Sequence, residues 1–308
     1  MNESVPQQEL APKNLSIDGE EFELVKTRIS APVSVYKGNG VFLRIGPKDL
    51  LQKELERHRN LVSSGFPVAE IMKEGEFATQ YYFVEKSLGE DILGDVFWED
   101  SKEQRSISEE HFDQFMSVTE KFATAQLGTI HSEAKWEDFY NGSHVDSLVE
   151  ELPDVQERLL QAVAKAKPQL MQLPFVLTND DINPYNLFKD GVIDMEWVFL
   201  APAGLDIISN ISLTYLFPDG GDYESTRRYS FSKEQLATYL AKFDEIYREA
   251  GVIEPSRFMD DFLFFRAVRS AVKMDGAPKI QQWRYDNFRN ILDMYLRGES
   301  ISDYIFNS

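Results

Sequence analysis

The sequence predicts an α+β chain, β-rich as far as about Leu88 and mainly helical beyond it. Three observations predict this. Val33-Ser34-Val35-Tyr36 and Val41-Phe42-Leu43-Arg44-Ile45 flank Lys37-Gly38-Asn39-Gly40, and Asn-Gly between two such runs is the strongest short-range hairpin signal. Tyr81-Tyr82-Phe83-Val84-Glu85 adds a strongly β-prone strand. From Ser108 onward apolar residues recur mostly at helical spacing, except between Phe175 and Asp206, where strand signals return.

In chain order, residues 1–20 are polar and read as a loose N-terminus, 21–88 as a first lobe and 89–308 as a second. A helix is expected over Asp49–Ser63, with Leu50, Leu51, Leu55, His58 and Leu61 close to one face and Lys53, Glu56, Arg57 and Arg59 solvated. Gly65-Phe66-Pro67-Val68 breaks it, and a second β pair turning across Glu74-Gly75-Glu76 leads into Tyr81–Glu85. Ser108-Glu109-Glu110 reads as a helix start, with acids favouring the positive end of the dipole. The helical period then runs through Phe112, Phe115 and Phe122 to Ile130-His131. Three more helices are expected over Lys233–Gly251, Pro255–Met274 and Ile280–Gly298.

Composition narrows the function. The 308 residues carry a net charge of −20, which argues against nucleic acid, whose phosphates demand a basic face, and against anionic membrane surfaces. Part of that charge is local: Glu90–Glu157 holds 18 Asp or Glu against 4 Lys or Arg. There is no cysteine, which removes disulfides, thiolate zinc sites and a Cys nucleophile, and fits a cytoplasmic protein. No apolar run approaches membrane-helix length, the N-terminus lacks the pattern of a signal peptide, and the four histidines have no metal-site spacing. The sequence sets no oligomeric state.

The chemistry concentrates in Phe175–Asp206. Phe175-Val176-Leu177 is a short buried strand, followed by the polar loop Asn179-Asp180-Asp181-Ile182-Asn183-Pro184-Tyr185-Asn186. Leu187-Phe188 and Val192-Ile193 around Lys189-Asp190-Gly191 form a tight hairpin, and Asp194 stands at its exit. Two carboxylates and a carboxamide at strand ends suit a proton-accepting base beside a hard cation such as magnesium, which takes few protein carboxylates when phosphates supply the rest.

This stretch resembles the catalytic and metal-binding loops of the aminoglycoside phosphotransferase and choline kinase families, small-molecule relatives of protein kinases. Their pattern is His-Gly-Asp or His-Asn-Asp, an Asn five residues after the Asp, then a hairpin ending in Ile-Asp-Trp/Phe-Glu and a further Asp twelve residues on. Asp181 to Asn186, Ile193-Asp194-Met195-Glu196, and Asp194 to Asp206 match those three elements. The resemblance implies Asp181 as base, Asn186 and Asp194 as metal ligands and Asp206 as a structural brace. Asn179 departs from it, standing where the family has His, and Asp180 stands where it has Gly or Asn.

The resemblance also implies a bilobal protein-kinase-like fold, a small β-rich N-lobe and a larger mainly helical C-lobe, with ATP and Mg2+ between them. Phe42-Leu43-Arg44-Ile45 resembles the family's Val-Leu-Lys/Arg-Ile, which implies Arg44 on the nucleotide phosphates, paired with Glu54. Main-chain groups near Glu85 and Lys86 stand where the family holds adenine. The Gly-rich spacing expected in the Lys37–Gly40 hairpin is absent, and Leu-Gly-Thr-Ile-His ends like the family's Leu-x-x-Leu-His, which makes His131 a core or capping residue. The implied reaction is transfer of the γ-phosphoryl group of ATP to a hydroxyl of a small molecule. A cationic acceptor such as an amino alcohol or an aminoglycoside is expected from the local acid excess, from the Asp260-Asp261 pair, and from Trp197, Tyr223, Trp283 and Tyr285; the resemblance also implies Asp260, Asp261 and Asp275 lining the cleft. Asn179, Asp180, Arg44 and the missing glycines keep open a second reading, a kinase-like nucleotide-binding protein without turnover. An acidic scaffold without nucleotide is a third, which needs the whole pattern to be accidental.

Overall fold

The computed structural model describes residues 11–28, 31–104, 106–195, 197–217, 229–274 and 278–307. They form two compact units, the first running to Ser63 and continuing over Val68–Leu88, the second made of Ser64–Pro67 and the chain from Gly89.

The first unit is a six-stranded antiparallel sheet with one helix. Its strands are β1 (Asn14–Ile17), β2 (Glu20–Thr27), β3 (Ser34–Lys37), β4 (Val41–Gly46), β5 (Ile71–Phe77) and β6 (Gln80–Lys86), in the order β1-β2-β3-β4-β6-β5. The Asn-Gly hairpin forms where expected, with Lys37 opposite Phe42. Order begins earlier than the polar N-terminus suggested: β1 pairs with β2, because Ile17 and Phe22 are buried with Tyr36, Leu43, Ile45, Tyr82 and Val84 on one face of the sheet.

The opposite face carries α1 (Lys48–Ser63), which buries Leu51, Leu55 and Leu61. Leu51 and Leu55 pack with Val33, Tyr81 and Phe83, and each such leucine contributes about 1.5–3 kcal/mol. Leu50, expected on that face, is instead 39% exposed. Glu74-Gly75-Glu76 also differs from expectation. It lies within β5, and the turn falls at Ala78, which takes φ of 53°. Gly75 is there because a Cβ would sit 2.9 Å from the cross-strand Tyr82 Oη, so this glycine marks crowding in a strand.

The second unit is mostly helical: α2 (Leu93–Gln104), α3 (Glu109–Leu127), α4 (Trp136–Gly142), α5 (Val145–Glu151), α6 (Gln156–Leu170), α7 (Leu205–Ser212), α8 (Lys233–Glu249), α9 (Met259–Ala271), α10 (Pro278–Arg297) and α11 (Ile301–Asn307). Ser108 caps α3 through its side chain, as the sequence predicts. The core is aromatic. Phe97, Phe115, Tyr229 and Phe231 meet edge to face or tilted, and Phe115 stacks on Tyr239. α7 is buried along its whole length, and α9 buries Phe262, Leu263, Phe264, Phe265, Arg266 and Val268.

Two short sheets sit inside this helical unit. β7 (Phe175–Thr178) pairs antiparallel with β10 (Phe199–Pro202), a strand the sequence did not announce. Between them the chain makes an excursion through the polar loop and the hairpin of β8 (Leu187–Phe188) and β9 (Gly191–Val192). The excursion is closed at its base by the β7–β10 ladder and joined to the Ser64–Pro67 segment by the Val192 N–H, which donates to Pro67 O at 2.8 Å. Among the described residues no helix is long and apolar enough to cross a membrane.

Candidate active site

The loop after β7 is built on Asp206 in the first turn of α7. This carboxylate is fully buried and accepts three hydrogen bonds, from the Asn179 N–H (3.1 Å), the Asp180 N–H (2.7 Å) and Gln126 Nε2 (2.7 Å). Burial, with the nearby Asp180 adding to it, pushes its carboxyl up to about 7 against the pull of the donors. Gln126 also donates to Leu177 O and accepts from the Tyr247 hydroxyl, so it ties α3 to β7 and α8. The brace role expected of Asp206 is therefore one its bonding fits, and Gln126 is its unforeseen partner.

Asn179 takes over the organising contacts at the position where the resemblance expects His. Its Nδ2 donates to Asp194 O at 2.9 Å, and its Oδ1 accepts the Asp181 N–H at 3.0 Å. One carboxamide thus links the loop to the exit of the hairpin. Asp180 follows in the left-handed region, φ 56°, where Gly, Asn and Asp are the tolerated residues. Its buried carboxyl accepts from Ser209 Oγ and is pushed up to about 6 by desolvation, against the attraction of Arg266 and Arg269.

Asp181 comes next, with 40% of its side chain exposed. Its main-chain carbonyl accepts from Asn183 Nδ2 and Asn186 Nδ2, both at 2.8 Å. On the carboxylate, Oδ1 faces Arg266 Nη2 at 3.2 Å and Oδ2 faces Asn186 Nδ2 at 3.4 Å. Arg266 also donates through Nη1 to Asp180 O. The Asn186 N–H is held by Asn183 O, and Asn186 O accepts the Ile193 N–H at 2.9 Å, which brings the exposed Asp194 (φ 62°) next to Asn186. The structure thus brings Asp181, Asn186 and Asp194 together on one excursion. Glu196 lies outside the described residues.

In the first unit Arg44 and Glu54 meet as the sequence expects, Nη1 to Oε1 at 2.5 Å. Two further residues join them. Arg44 Nε pairs with Glu85 Oε1 at 3.1 Å, and Arg28 pairs with Glu54 at 3.2 Å, which links two guanidiniums with two carboxylates. The Lys86 N–H is already bonded to Glu70 O.

One expectation, that for His131, does not hold. His131 is exposed, neither core nor cap; its N–H donates to Phe175 O at 2.9 Å, and its segment is also anchored by Gln126 and by Thr129, whose hydroxyl accepts the Leu177 N–H. Asp260 accepts the Ser302 N–H and Asp261 accepts the Tyr295 hydroxyl, so both carboxylates brace helices. Tyr285 donates to Glu151. Trp197 is 77% exposed and Trp283 partly so. Tyr223 and Asp275 lie outside the described residues. Among the described residues no three of His, Cys, Asp and Glu converge as a metal centre.

Two solved structures share this architecture. A thermostable mutant of the aminoglycoside phosphotransferase APH(4)-Ia, in ternary complex with AMP-PNP and hygromycin B, superposes with a TM-score of 0.50 at 14% identity, covering 90% of this chain and 93% of its own. The gentamicin complex of APH(2")-IIa gives 0.50 at 12% identity, covering 90% and 89%. The chain has the bilobal, kinase-like fold of these phosphotransferases. A choline/ethanolamine kinase family protein from Mesorhizobium loti is similar at 12% identity with a TM-score of 0.49. The sequence itself matches no family model and no curated protein.

Proposed function

We propose that the chain is an ATP- and magnesium-dependent phosphotransferase that moves the γ-phosphoryl group to a hydroxyl of a small molecule. One observation carries this reading: the half-exposed Asp181 carboxylate, gripped at Oδ1 and approached at Oδ2, on a loop whose backbone groups are tied on both sides. A carboxylate held in this way can orient an acceptor hydroxyl and take its proton. Asn186 and Asp194 suit magnesium, because they offer one carboxamide and one carboxylate oxygen to a hard ion that completes its shell from phosphates and water. Bound there, the ion supplies charge neutralisation on the transferring group. Arg44, braced by Glu54, is the cation for the nucleotide phosphates, and main-chain groups near Glu85 and Lys86, other than the committed Lys86 N–H, are the proposed adenine contacts. The AMP-PNP in the APH(4)-Ia complex supports ATP as the donor.

A nucleotide-binding protein without turnover is the second reading. Arg44 favours it, since two carboxylates already hold this guanidinium and phosphate must compete with them. Asn179 weighs against it, because the loop keeps its cross-links without the histidine. The proposed acceptor is a cation, supported by the net charge of −20 and by the exposed Trp197 three residues after Asp194.

Asp181→Asn is expected to abolish transfer while leaving Mg-ATP affinity nearly unchanged, since a base acts in the transition state. Asp194→Ala is expected to weaken nucleotide binding in magnesium and hardly in EDTA. Wild-type turnover in the first variant, or equal weakening in both conditions in the second, overturns the assignment. A hydroxyl-compound panel at low and high salt tests the acceptor class, and activity confined to neutral sugars refutes the cation.

A further inference from the structure

Arg266 reaches the Asp181 carboxylate from 85 residues along the chain, and nothing in the loop pattern requires it. It lies in α9 within the run Phe262-Leu263-Phe264-Phe265-Arg266-Ala267-Val268 and is 2% exposed. A guanidinium at that depth must be matched by acceptors, because an isolated buried charge is strongly disfavoured. Its acceptors are two consecutive residues of the catalytic loop: Nη1 donates to Asp180 O and Nη2 to Asp181 Oδ1 at 3.2 Å. Its Nε, also buried, has no hydrogen-bond partner among the described residues.

Every other group around Asp181 is fixed by the backbone or by side chains of the excursion and α7. The Asp180 N–H is held by Asp206 and the Asp181 N–H by Asn179, while Asn183 and Asn186 hold the Asp181 carbonyl. What these contacts leave undetermined is the rotation of the Asp181 side chain. Asn183 and Asn186 lie 3.5 and 3.4 Å from its two oxygens, too long to fix it. The planar fork of Arg266 reaches both the carbonyl before Asp181 and one carboxylate oxygen, and so can set that rotation.

We propose that Arg266 is the positioning residue of the base: by holding Asp180 O and Asp181 Oδ1 together it turns Oδ2 outward as the atom that meets the acceptor hydroxyl. This rests on the reading of Asp181 as base. Lysine at this position keeps the charge but cannot span both acceptors, so Arg266→Lys separates geometry from charge, and Arg266→Gln removes both.

The test measures ADP release from Mg-ATP with water as acceptor for the wild type, D181N, R266K, R266Q and the double variant D181N/R266K, with melting curves to exclude unfolded protein. R266K is expected to fold and to lose about 10²-fold in kcat, the size of effect that a misplacement of about 1 Å produces, with KM for Mg-ATP within about twofold. R266Q is expected to lose at least as much. The double variant should lose no more than D181N alone, since a residue acting through Asp181 has nothing left to act on. A structural ion pair would instead lower the melting temperature and leave kcat in place. Variants at Arg266 with wild-type kcat, or additive losses in the double, overturn the inference while an inactive D181N keeps the phosphotransferase reading intact; wild-type turnover in D181N overturns both. A crystal structure of R266K decides the matter without turnover: a rotated Asp181 carboxylate is expected, and an unmoved one refutes the assignment.

Discussion

Asp180→Asn isolates the energetic consequence of placing a second buried carboxyl beside Asp206. The perturbation is close to isosteric, and Asn tolerates the left-handed backbone that this position requires. Desolvation holds the native Asp180 carboxyl at about 6 against its ordinary value of 3.8. Between those values the folded chain keeps a proton that the unfolded chain has released, so native protein binds more protons and stability falls as pH rises. The contribution is fully present below about pH 4 and lost above about pH 6, and two units at about 1.4 kcal/mol each make it roughly 3 kcal/mol. Asn has no such proton to lose. Urea unfolding of both proteins at pH 5 and pH 8 should therefore show the variant gaining on the wild type by roughly 1 kcal/mol as pH rises, because only the last of the two units lies above pH 5. Taking the difference cancels the carboxyls remote from Asp180, several of which are lowered by ion pairs and slope the opposite way, while Asp206, relieved of its charged neighbour, shifts in the same sense as the lost Asp180 proton. The same pH dependence in both proteins would refute the argument that Asp180 is buried at a cost.

Gln126→Ala removes donors to Asp206 and Leu177 and the acceptor of the Tyr247 hydroxyl, all buried; at about 1–3 kcal/mol for each stranded group its urea midpoint should fall clearly, and an unchanged midpoint would show that water replaces the carboxamide. Gly94→Ala would bring a Cβ within 2.5 Å of the Tyr185 ring, an overpacking that costs about 1–3 kcal/mol. Because Tyr185 stands next to Asn186, this variant should lower both the melting temperature and the turnover measured as ADP release, and normal turnover would show that α2 simply moves away.

The parts of this molecule that were legible in the sequence are those whose signal is short-range. The Asn-Gly hairpin, the Ser108 cap, β7 and the spacing from Asp181 to Asn186 to Asp194 each lie within a few residues of their own cause. β10 was not legible because Phe199-Leu200-Ala201-Pro202 has neither alternation nor β-branched residues and ends in proline; pairing with β7 makes it a strand. Gln126 and Arg266 were missed for a different reason. Their partners lie 80 and 85 residues away, and helical periodicity does not distinguish a polar residue aimed inward from one aimed at water. For Arg266 one signal was present: a charge in an unbroken apolar run around the whole helix has no solvated face to occupy. Leu50 and His131 show the converse, apolar spacing and motif position each nominating a residue that solvent keeps.

The excursion between β7 and β10 also bears on how the chain folds. Its ends pair over a span of about 20 residues, so closing it costs little chain entropy, and the loop and hairpin can form early from contacts close in sequence. The two side chains that lock it, Gln126 from α3 and Arg266 from α9, belong to helices that must dock from a distance. A loop of this construction takes its shape from near neighbours in sequence, while the contacts that Gln126 and Arg266 make to it wait on the docking of their helices.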